Sequence, residues 1–375
     1  MKDILKIIIP ELEQDMKHIA KTVTALMLFL TTTAWGQTFS VSGSVTLEDQ
    51  TGSGADHSGV KIKFINLPSL VAEDSNTSAS TGAYSINIAA GYYLVEWTKT
   101  GYVPEELGGL VLTGNRALDD VVLIPGAIQE VSGAVNTATW TTSNVFYVTG
   151  NCTIPSGQTL TINAGVRVKF SSVKGMEVNG TLIANGTSSS RIVFTSRESV
   201  PAAGDWDRIY LKGTNNQLSY FDYLYAANSL RVDGNNAATN TTIDNGYLAN
   251  LGSDGYGIYL YECGGESGTT NNITVSSGSD RWGIYNSSSE STSITNNTIT
   301  AENGIYIHDV DGGENVTGNT IVAKITGIQA DYAEGITIKN NTITGTIKHY
   351  GIYAYQADSA NISVNRIERT ELYIS

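Results

Sequence analysis

Between about residues 39 and 125, short runs of alternating apolar and polar residues are separated by Gly, Asn and Ser. Clear examples lie at 40–47, 60–65, 84–88 and 92–97. A period of two over such short runs predicts antiparallel strands that bury one face. The pattern therefore predicts a small β-sandwich over residues 37–127.

From residue 131 onward the alternation continues, and two motifs recur at a nearly constant interval. A Gly-Ile pair begins at Gly257, Gly283, Gly304, Gly327 and Gly351, at intervals of 26, 21, 23 and 24 residues. An aliphatic-x-x-Asn-x-Ile motif follows, with its asparagine at Asn297, Asn319, Asn341 and Asn365, and a degenerate copy holds Asn271 and Ile273. The interval from glycine to asparagine is 14 or 15 residues in every copy. Repeats of this length indicate a solenoid in which each copy is one turn.

The residue types favour a β-solenoid over a helical one. Ile, Val, Thr and Tyr fill the runs, Asn and Gly mark the turns, and no helical apolar stripe is sustained. Coils stacked about 4.8 Å apart would place equivalent residues above one another. We predict an inward column of Ile258, Ile284, Ile305, Ile328 and Ile352. We also predict that the five motif asparagines form a corner column, with left-handed backbone and amides hydrogen-bonded along the axis.

The first segment carries several short motifs in a characteristic order. They are VSGSV at 41–45, SGV at 58–60, TGAY at 81–84, AGYY at 90–93, GY at 101–102 and a last strand at 118–123. This segment resembles the carboxypeptidase regulatory-like family, a transthyretin-type sandwich. The resemblance implies a non-catalytic accessory domain.

A second resemblance begins where the repeats begin. Its motifs are YVTGNCTIPSG at 147–157, LTINAGVRVKF at 160–170, MEVNGTLIANG at 176–186, RIVFTS at 191–196 and GDW at 204–206. They resemble the opening coils of secreted bacterial right-handed parallel β-helices in the pectate-lyase-like superfamily. The expected fold is thus all-β, with a sandwich at 37–127 followed by a right-handed parallel β-helix at 128–375.

The N-terminal residues indicate export. After Met16 come two lysines, a short apolar stretch at 25–30 and a small-x-small site at 34–36, a pattern typical of a signal peptide. We assign residues 16–36 to that peptide and residues 1–15 to an upstream extension, and we expect a secreted or cell-surface protein without a membrane span in the mature chain. Residues 366–375 show no capping element, and two interpretations remain open, namely a β-helix truncated at its C-terminus or loss of a C-terminal surface-anchoring segment.

Composition narrows the possible partners. The 375-residue chain has 22 Lys+Arg against 36 Asp+Glu, a formal net charge of −14, and no basic cluster, so it is not expected to bind nucleic acid. Its two cysteines, Cys152 and Cys263, are too few and too far apart for a disulfide framework. We expect both to be buried as small apolar residues.

If the isoleucines point inward, the residues two and four positions after each glycine point outward. Six of these are tyrosines, Tyr259, Tyr261, Tyr285, Tyr306, Tyr353 and Tyr355. Two interpretations remain open. The rings either stack along the sheet and stabilise it, or form a binding platform for glycans or a protein partner.

Enzymatic candidates occupy the same outward positions. The superfamily resemblance implies lyases with carboxylate-bound Ca²⁺ and hydrolases with grouped carboxylates. His308 and Asp331 are the candidate acid/base pair, although the repeat shows no matching Arg or Lys on that face and no lyase or hydrolase signature is present. Asp309, Asp311 and Glu314 are the candidate Ca²⁺ ligands, with a solvated turn as the alternative. No cofactor other than Ca²⁺ is suggested.

The sequence thus favours a non-catalytic binding or structural protein that contacts extracellular glycans or a surface protein through its tyrosines. The alternatives are a polysaccharide lyase or glycoside hydrolase of the β-helix type, and an adhesin or surface stalk. The negative charge disfavours an anionic substrate unless Ca²⁺ bridges it.

Overall fold

The structure is a computed structural model that describes residues 37–66, 71–198, 201–234, 240–252, 256–263, 268–271, 273–276, 282–289, 292–310 and 312–369. Every regular element in these ranges is a β-strand. They form two compact units that divide between Pro125 and Gly126. The assigned extension and signal peptide, residues 1–36, lie outside the described residues. Within those ranges the chain has no helix of the length and apolarity needed to cross a membrane.

The first unit contains eight described strands. They are β1 (Thr38–Leu47), β2 (Lys61–Asn66), β3 (Val71–Thr77), β4 (Ala83–Ala89), β5 (Gly91–Thr98), β6 (Glu105–Leu112), β7 (Arg116–Ala117) and β8 (Val121–Leu123). One sheet has the order β4-β1-β7, with β8 also paired to β1, and the other has the order β3-β2-β5-β6. Strand β5 buries every second residue, as the alternation predicts. Val41 of one sheet and Phe64 and Trp97 of the other belong to one buried core.

The second unit contains the remaining strands, all paired in parallel. They are β9 (Ala127–Ala134), β10 (Ala138–Trp140), β11 (Asn144–Ile154), β12 (Thr159–Ile162), β13 (Arg167–Phe170), β14 (Met176–Val178), β15 (Thr181–Asn185), β16 (Ile192–Ser196), β17 (Ile209–Leu211), β18 (Gln217–Ser219), β19 (Phe221–Leu224), β20 (Leu230–Asp233), β21 (Thr241–Asp244), β22 (Tyr247–Ala249), β23 (Ile258–Tyr261), β24 (Gly268–Asn271), β25 (Thr274–Ser276), β26 (Trp282–Ser287), β27 (Ser293–Thr295), β28 (Thr298–Val310), β29 (Asn315–Thr317), β30 (Thr320–Ala333), β31 (Thr337–Lys339), β32 (Thr342–Gly345), β33 (Tyr350–Tyr355), β34 (Asn361–Ser363) and β35 (Arg366–Arg369).

These strands form three parallel sheets, which we name S1, S2 and S3 in the order in which their strands follow one another along each coil. S1 contains β10, β12, β15, β18, β21, β24, β27, β29, β31 and β34. S2 contains β13, β16, β19, β22, β25, β32 and β35, and S3 contains β14, β17, β20, β23, β26 and β33. The long strands β9, β11, β28 and β30 take part in both S2 and S3. The second unit is therefore a parallel β-helix.

The predicted isoleucine column is confirmed. Ile258 pairs with Ile284, Ile284 with Ile305, Ile305 with Ile328, and Ile328 with Ile352. The first four are fully buried, and the fifth is partly buried against the same core. The repeat therefore defines true coil-to-coil register.

The asparagine column is confirmed as a hydrogen-bonded ladder among its described side chains. The Nδ2 atoms of Asn297, Asn319 and Asn341 donate to Oδ1 of the next asparagine at 3.0, 2.9 and 3.0 Å. The side chain of Asn271 lies outside the described residues.

The predicted left-handed backbone lies one residue earlier than expected. The positive φ angles belong to Asn296, Gly318, Asn340 and Val364, at 55°, 69°, 56° and 56°. Each ladder asparagine comes directly after the left-handed residue, which turns the corner and aims the next side chain inward.

The glycine of each Gly-Ile pair is explained by crowding. A Cβ on Gly304 would lie 2.6 Å from Cγ2 of Ile321, and one on Gly351 would lie 2.6 Å from Cγ2 of Ile367. Ile321 and Ile367 belong to the aliphatic-x-x-Asn-x-Ile motif of the following coil. The two sequence motifs therefore recur together because they pack against each other across coils.

Both cysteines are free and buried, as predicted. Burial raises the pKa of the Cys152 thiol to about 12 and that of Cys263 to about 11. Neither thiol is in a state suited to nucleophilic chemistry at neutral pH.

Candidate functional site

Sheet S3 carries an outward row of aromatic residues because the residue after each isoleucine of a Gly-Ile pair lies on the outer face of the sheet. Tyr259 pairs with Tyr285, and Tyr285 with Tyr306. Gln329 and Tyr353 continue the row. The predicted outward register of these residues is confirmed.

The three tyrosines at the centre of the row pack on one another. The ring centroids of Tyr259 and Tyr285 are 4.9 Å apart at an angle of 89°, and those of Tyr285 and Tyr306 are 5.1 Å apart at 79°. Edge-to-face pairs of this kind are favourable. Burial raises the pKa of the Tyr259 hydroxyl to about 12. These rings therefore stabilise the sheet and also form part of its outer surface.

A second aromatic set borders the row and was not identified from the sequence. Tyr256, Trp282 and Tyr350 each precede the glycine of a Gly-Ile pair. Their rings stack on Tyr285, Tyr306 and Tyr353 at 4.6, 5.0 and 4.6 Å, with interplanar angles of 29°, 25° and 30°. The signal was present as an aromatic residue before Gly-Ile in three of five copies.

The third outward column contains the remaining predicted residues. Tyr261 pairs with Ser287, Ser287 with His308, His308 with Asp331, and Asp331 with Tyr355. Ser287 is buried, whereas Tyr355 is 45% exposed. The candidate acid/base pair thus occupies adjacent coils, as the repeat spacing predicts.

Tyr332 also lies on the outer surface beside this column, although it follows the outward residue Asp331 and strand alternation would place it inward. Its φ is 53°, a left-handed conformation that is rare for a large side chain. Its ring lies 6.1 Å from that of His308 and 5.5 Å from that of Tyr355, and it is 50% exposed. Residues at the same place in other coils, Ser288 and Asp309, are also left-handed. We call the outward rings of S3 the aromatic face; its members are Tyr256, Tyr259, Tyr261, Trp282, Tyr285, Tyr306, His308, Tyr332, Tyr350, Tyr353 and Tyr355.

Asp331 is held in place through one of its two oxygens. Its Oδ2 accepts hydrogen bonds from the Tyr306 hydroxyl at 2.9 Å and from Nε2 of Gln329 at 2.6 Å. Its Oδ1 is buried and has no hydrogen-bond partner among the described residues. Burial, followed by the hydrogen bond to Asp331, raises the pKa of the Tyr306 hydroxyl. The carboxylate is therefore fixed, but only half of its accepting capacity is used.

S3 carries basic side chains in earlier coils than those of His308 and Asp331. Arg231 pairs with Tyr259 in the preceding coil, and its guanidinium lies 4.7 Å from the Tyr259 ring centroid and 5.1 Å from that of Tyr210. Its Nη2 atom also forms an ion pair of 2.9 Å with Oδ2 of Asp233. Lys212 lies over the Tyr210 ring at 4.5 Å. These cations belong to coils without a Gly-Ile pair, so the repeat did not reveal them.

The candidate Ca²⁺ ligands occupy different environments. Asp309 is exposed, the Glu314 side chain is 1% exposed, and Asp311 lies outside the described residues. Within the described ranges, no three His, Cys, Asp or Glu side chains lie together in a way that would hold a metal ion.

Comparison with known proteins supports the fold. Residues 130–222 match the sequence model of the pectate-lyase-like beta helix domain. Together with the coil stacking, this match supports a place in the β-helix superfamily and suggests a surface or carbohydrate-related protein. No curated protein shows significant similarity to the chain.

Two solved structures show short similarities. Both are complexes of type II cohesin with X-dockerin from Acetivibrio cellulolyticus, one an N-terminal and one a C-terminal interface mutant, with 23% and 24% sequence identity. Each match covers 24% of this chain and 58% of that chain, with a TM-score of 0.21. The matched part thus spans less than two thirds of those chains and defines no shared overall fold.

Proposed function

We propose that the protein is a non-catalytic glycan-binding protein, exported to the surface or the medium, that contacts its ligand through the aromatic face. The observation that carries the proposal is the register of tyrosines on consecutive coils of S3. A row of rings spaced by one strand separation suits an extended polymer that runs along the coil axis.

Chemistry supports a sugar ligand. A tyrosine ring offers an apolar surface and a polar hydroxyl, and a sugar offers C–H faces and hydroxyl groups. Tyr332, Tyr350 and Tyr355 are 50%, 50% and 45% exposed. Exposed aromatic clusters of this kind mark binding surfaces. The two interpretations of the tyrosines can therefore hold together, with the central rings supporting the sheet and the exposed rings contacting the ligand.

The test is binding to a glycan array by the purified protein and by Tyr350→Ala and Tyr355→Ala variants. Tyr247→Ala is the matched control, because Tyr247 is 40% exposed but lies on S2. We expect the two S3 variants to lose about tenfold or more in affinity and the control to bind like the wild type. Absence of glycan binding, or equal binding by all variants, would refute the proposal.

Export and the role of the first unit belong to the same proposal. We take residues 16–36 as a signal peptide and residues 37–127 as a carboxypeptidase regulatory-like accessory domain, as their motifs suggest. The mature N-terminus is then Gln37. Sequencing the N-terminus of protein recovered from the culture medium or cell surface tests this, and retention in the cytoplasm with residues 1–36 intact would contradict it.

A β-helix polysaccharide lyase or glycoside hydrolase is the second candidate, because His308 and Asp331 are adjacent in register. It predicts that the protein releases oligosaccharides from a polysaccharide panel and that His308→Ala and Asp331→Ala abolish this release. A wild-type protein that binds glycans without releasing products favours the first proposal.

A further inference from the structure

We infer that Asp331 makes the aromatic face selective for neutral, hydroxyl-rich glycans over carboxylated ones. This inference rests on the proposed function and specifies its ligand class. The structure contributes three observations, namely the unused oxygen of Asp331, the rings around it and the sign of the neighbouring charges.

The unused oxygen is the first observation. Tyr306 and Gln329 both donate to Oδ2, which fixes the plane of the carboxylate, whereas Oδ1 is buried without a described partner. A buried acceptor without a donor is energetically unfavourable. A hydroxyl group from a ligand supplies the missing donor, whereas a ligand carboxylate at the same position has no hydrogen to donate at neutral pH and is repelled by the charge of Asp331.

The rings are the second observation. Asp331 lies between His308 and Tyr355 in its column and precedes Tyr332 in the chain. The Tyr332 ring contacts both of the other rings. A sugar placed here meets an apolar ring surface and a fixed acceptor at the same time, which is the combination that gives small-molecule sites their orientation.

Access to Oδ1 requires a small movement, because the atom is screened from water. Tyr355 follows Asp331 in the column and is 45% exposed. We infer that this ring turns toward solvent and stays in contact with the sugar when the ligand binds. A sugar hydroxyl above Asp331 then reaches the oxygen.

Charge is the third observation. The S3 segments around Asp331, at 303–310, 328–336 and 352–363, contain no lysine or arginine, and Asp309, Glu334 and Asp358 are exposed there. The exposed lysines of these coils, Lys324 and Lys348, lie before these segments, at the S2–S3 corner. The stacked cations Arg231 and Lys212 belong to earlier coils. A carboxylated sugar is repelled at this end of S3, whereas a neutral sugar is not.

The experiment is calorimetric titration with neutral cello-, xylo- and manno-oligosaccharides and with acidic oligogalacturonate. We expect the wild type to bind at least one neutral probe more tightly than oligogalacturonate. Asp331→Asn keeps an oxygen for Tyr306 and Gln329 but turns an NH₂ group toward the ligand. It should therefore weaken neutral binding about tenfold or more. Asp358→Asn removes one exposed carboxylate from the same end and should leave the affinity for the neutral probe unchanged.

The outcomes separate the two proposals. Wild-type binding that is unaffected by Asp331→Asn, or a preference for oligogalacturonate, overturns the inference and leaves glycan binding intact. Absence of binding to every probe overturns the proposed function as well. Melting curves check that the variant is folded. If Asp331→Asn is not folded, Asp331→Glu, which keeps the charge but moves both oxygens, should show the same loss, and unchanged binding by that variant overturns the inference.

Discussion

A single ladder asparagine shows how a polar side chain is accommodated inside the β-helix. Asn319 accepts from the backbone N–H and the Nδ2 of Asn297, and its own Nδ2 donates to Asn341 and to the carbonyl of Ile294. All four contacts are 2.9 or 3.0 Å long. An amide has two hydrogens and two lone pairs, so its hydrogen-bonding capacity is used completely.

We therefore predict that Asn319→Ala lowers the free energy of unfolding by about 2–5 kcal/mol, because it leaves buried groups of two neighbouring coils without partners. Asn315→Ala is the control, since Asn315 is exposed on S1 of the same coil. Its effect should stay within about 0.5 kcal/mol. Chemical denaturation followed by circular dichroism measures both, and equal losses would contradict a structural role for the ladder.

Tyr259 and Tyr210 give a prediction about alkaline pH. Burial is the main cause that raises the pKa of both hydroxyls to about 12 from an ordinary 10.0. An acid with a raised pKa in the folded state stabilises the fold fully below its unfolded pKa, and this contribution disappears as pH rises through the folded value. Stability should thus fall between about pH 10 and pH 12. Tyr259→Phe should reduce this dependence in melting experiments, and an identical pH profile would argue against burial of the hydroxyl.

At the scale of the element, one coil is the unit of the fold. The glycine of a Gly-Ile pair, at the S2–S3 corner, packs against the last isoleucine of the aliphatic-x-x-Asn-x-Ile motif in the next coil. A larger residue at the glycine position would therefore require a change at that isoleucine. Gly327 shows this directly, because an added Cβ would collide with the carbonyl of Gly351 and with Cγ2 of Ile343.

We predict that Gly327→Ala destabilises the β-helix by about 1–3 kcal/mol, as overpacking does. Gly114→Ala is the comparison, because no atom lies within 4 Å of its added Cβ. Differential scanning calorimetry should show a lower melting temperature for the first variant only. A Gly327→Ala protein with wild-type stability would show that the S2–S3 corner accommodates an added Cβ, contrary to this prediction.

The coils could be predicted from sequence where the motifs repeat, since spacing and alternation together set register from Gly257 onward. The register of the earlier coils of S3 did not follow from this repeat, because Ser229 stands where Gly257 stands one coil later. Arg231 was missed for that reason.

The surface was less predictable than the core. Strand alternation placed Tyr259, Tyr285 and Tyr306 correctly on the outside. It failed at Tyr332, because a left-handed residue interrupts the alternation and the residue types at that place, such as Ser288 and Asp309, share no pattern. Which oxygen of Asp331 is engaged depends on side-chain geometry that no spacing encodes.

For the whole molecule, the central fact is that each unit has its own core. Phe64 and Trp97 belong to the core of the first unit, and Phe170 and Trp206 to that of the second. In the second core the rings of Phe170 and Trp206 stack at 4.1 Å. Separate cores are the property that allows units to fold alone.

We expect a fragment of residues 126–375 to fold without the first unit. It should keep the β-sheet circular dichroism and the melting transition of the second unit in the full chain. A fragment that begins at residue 150, inside β11, is the control and should be less stable because it removes strands that cover the core. An unfolded 126–375 fragment would show that the β-helix depends on the first unit.

The division of each coil into inward and outward positions has an evolutionary consequence. Ile, Gly and Asn recur at the inward and corner positions of the coils from Gly257 onward. The outward position that follows the isoleucine of each Gly-Ile pair holds Tyr259, Tyr285, Tyr306, Gln329 and Tyr353 in successive coils. A substitution at the outward place leaves the inward column and the corner unchanged, and a duplicated coil carries the same outward position. Ligand preference in such a protein can therefore diversify one winding at a time while its architecture stays the same.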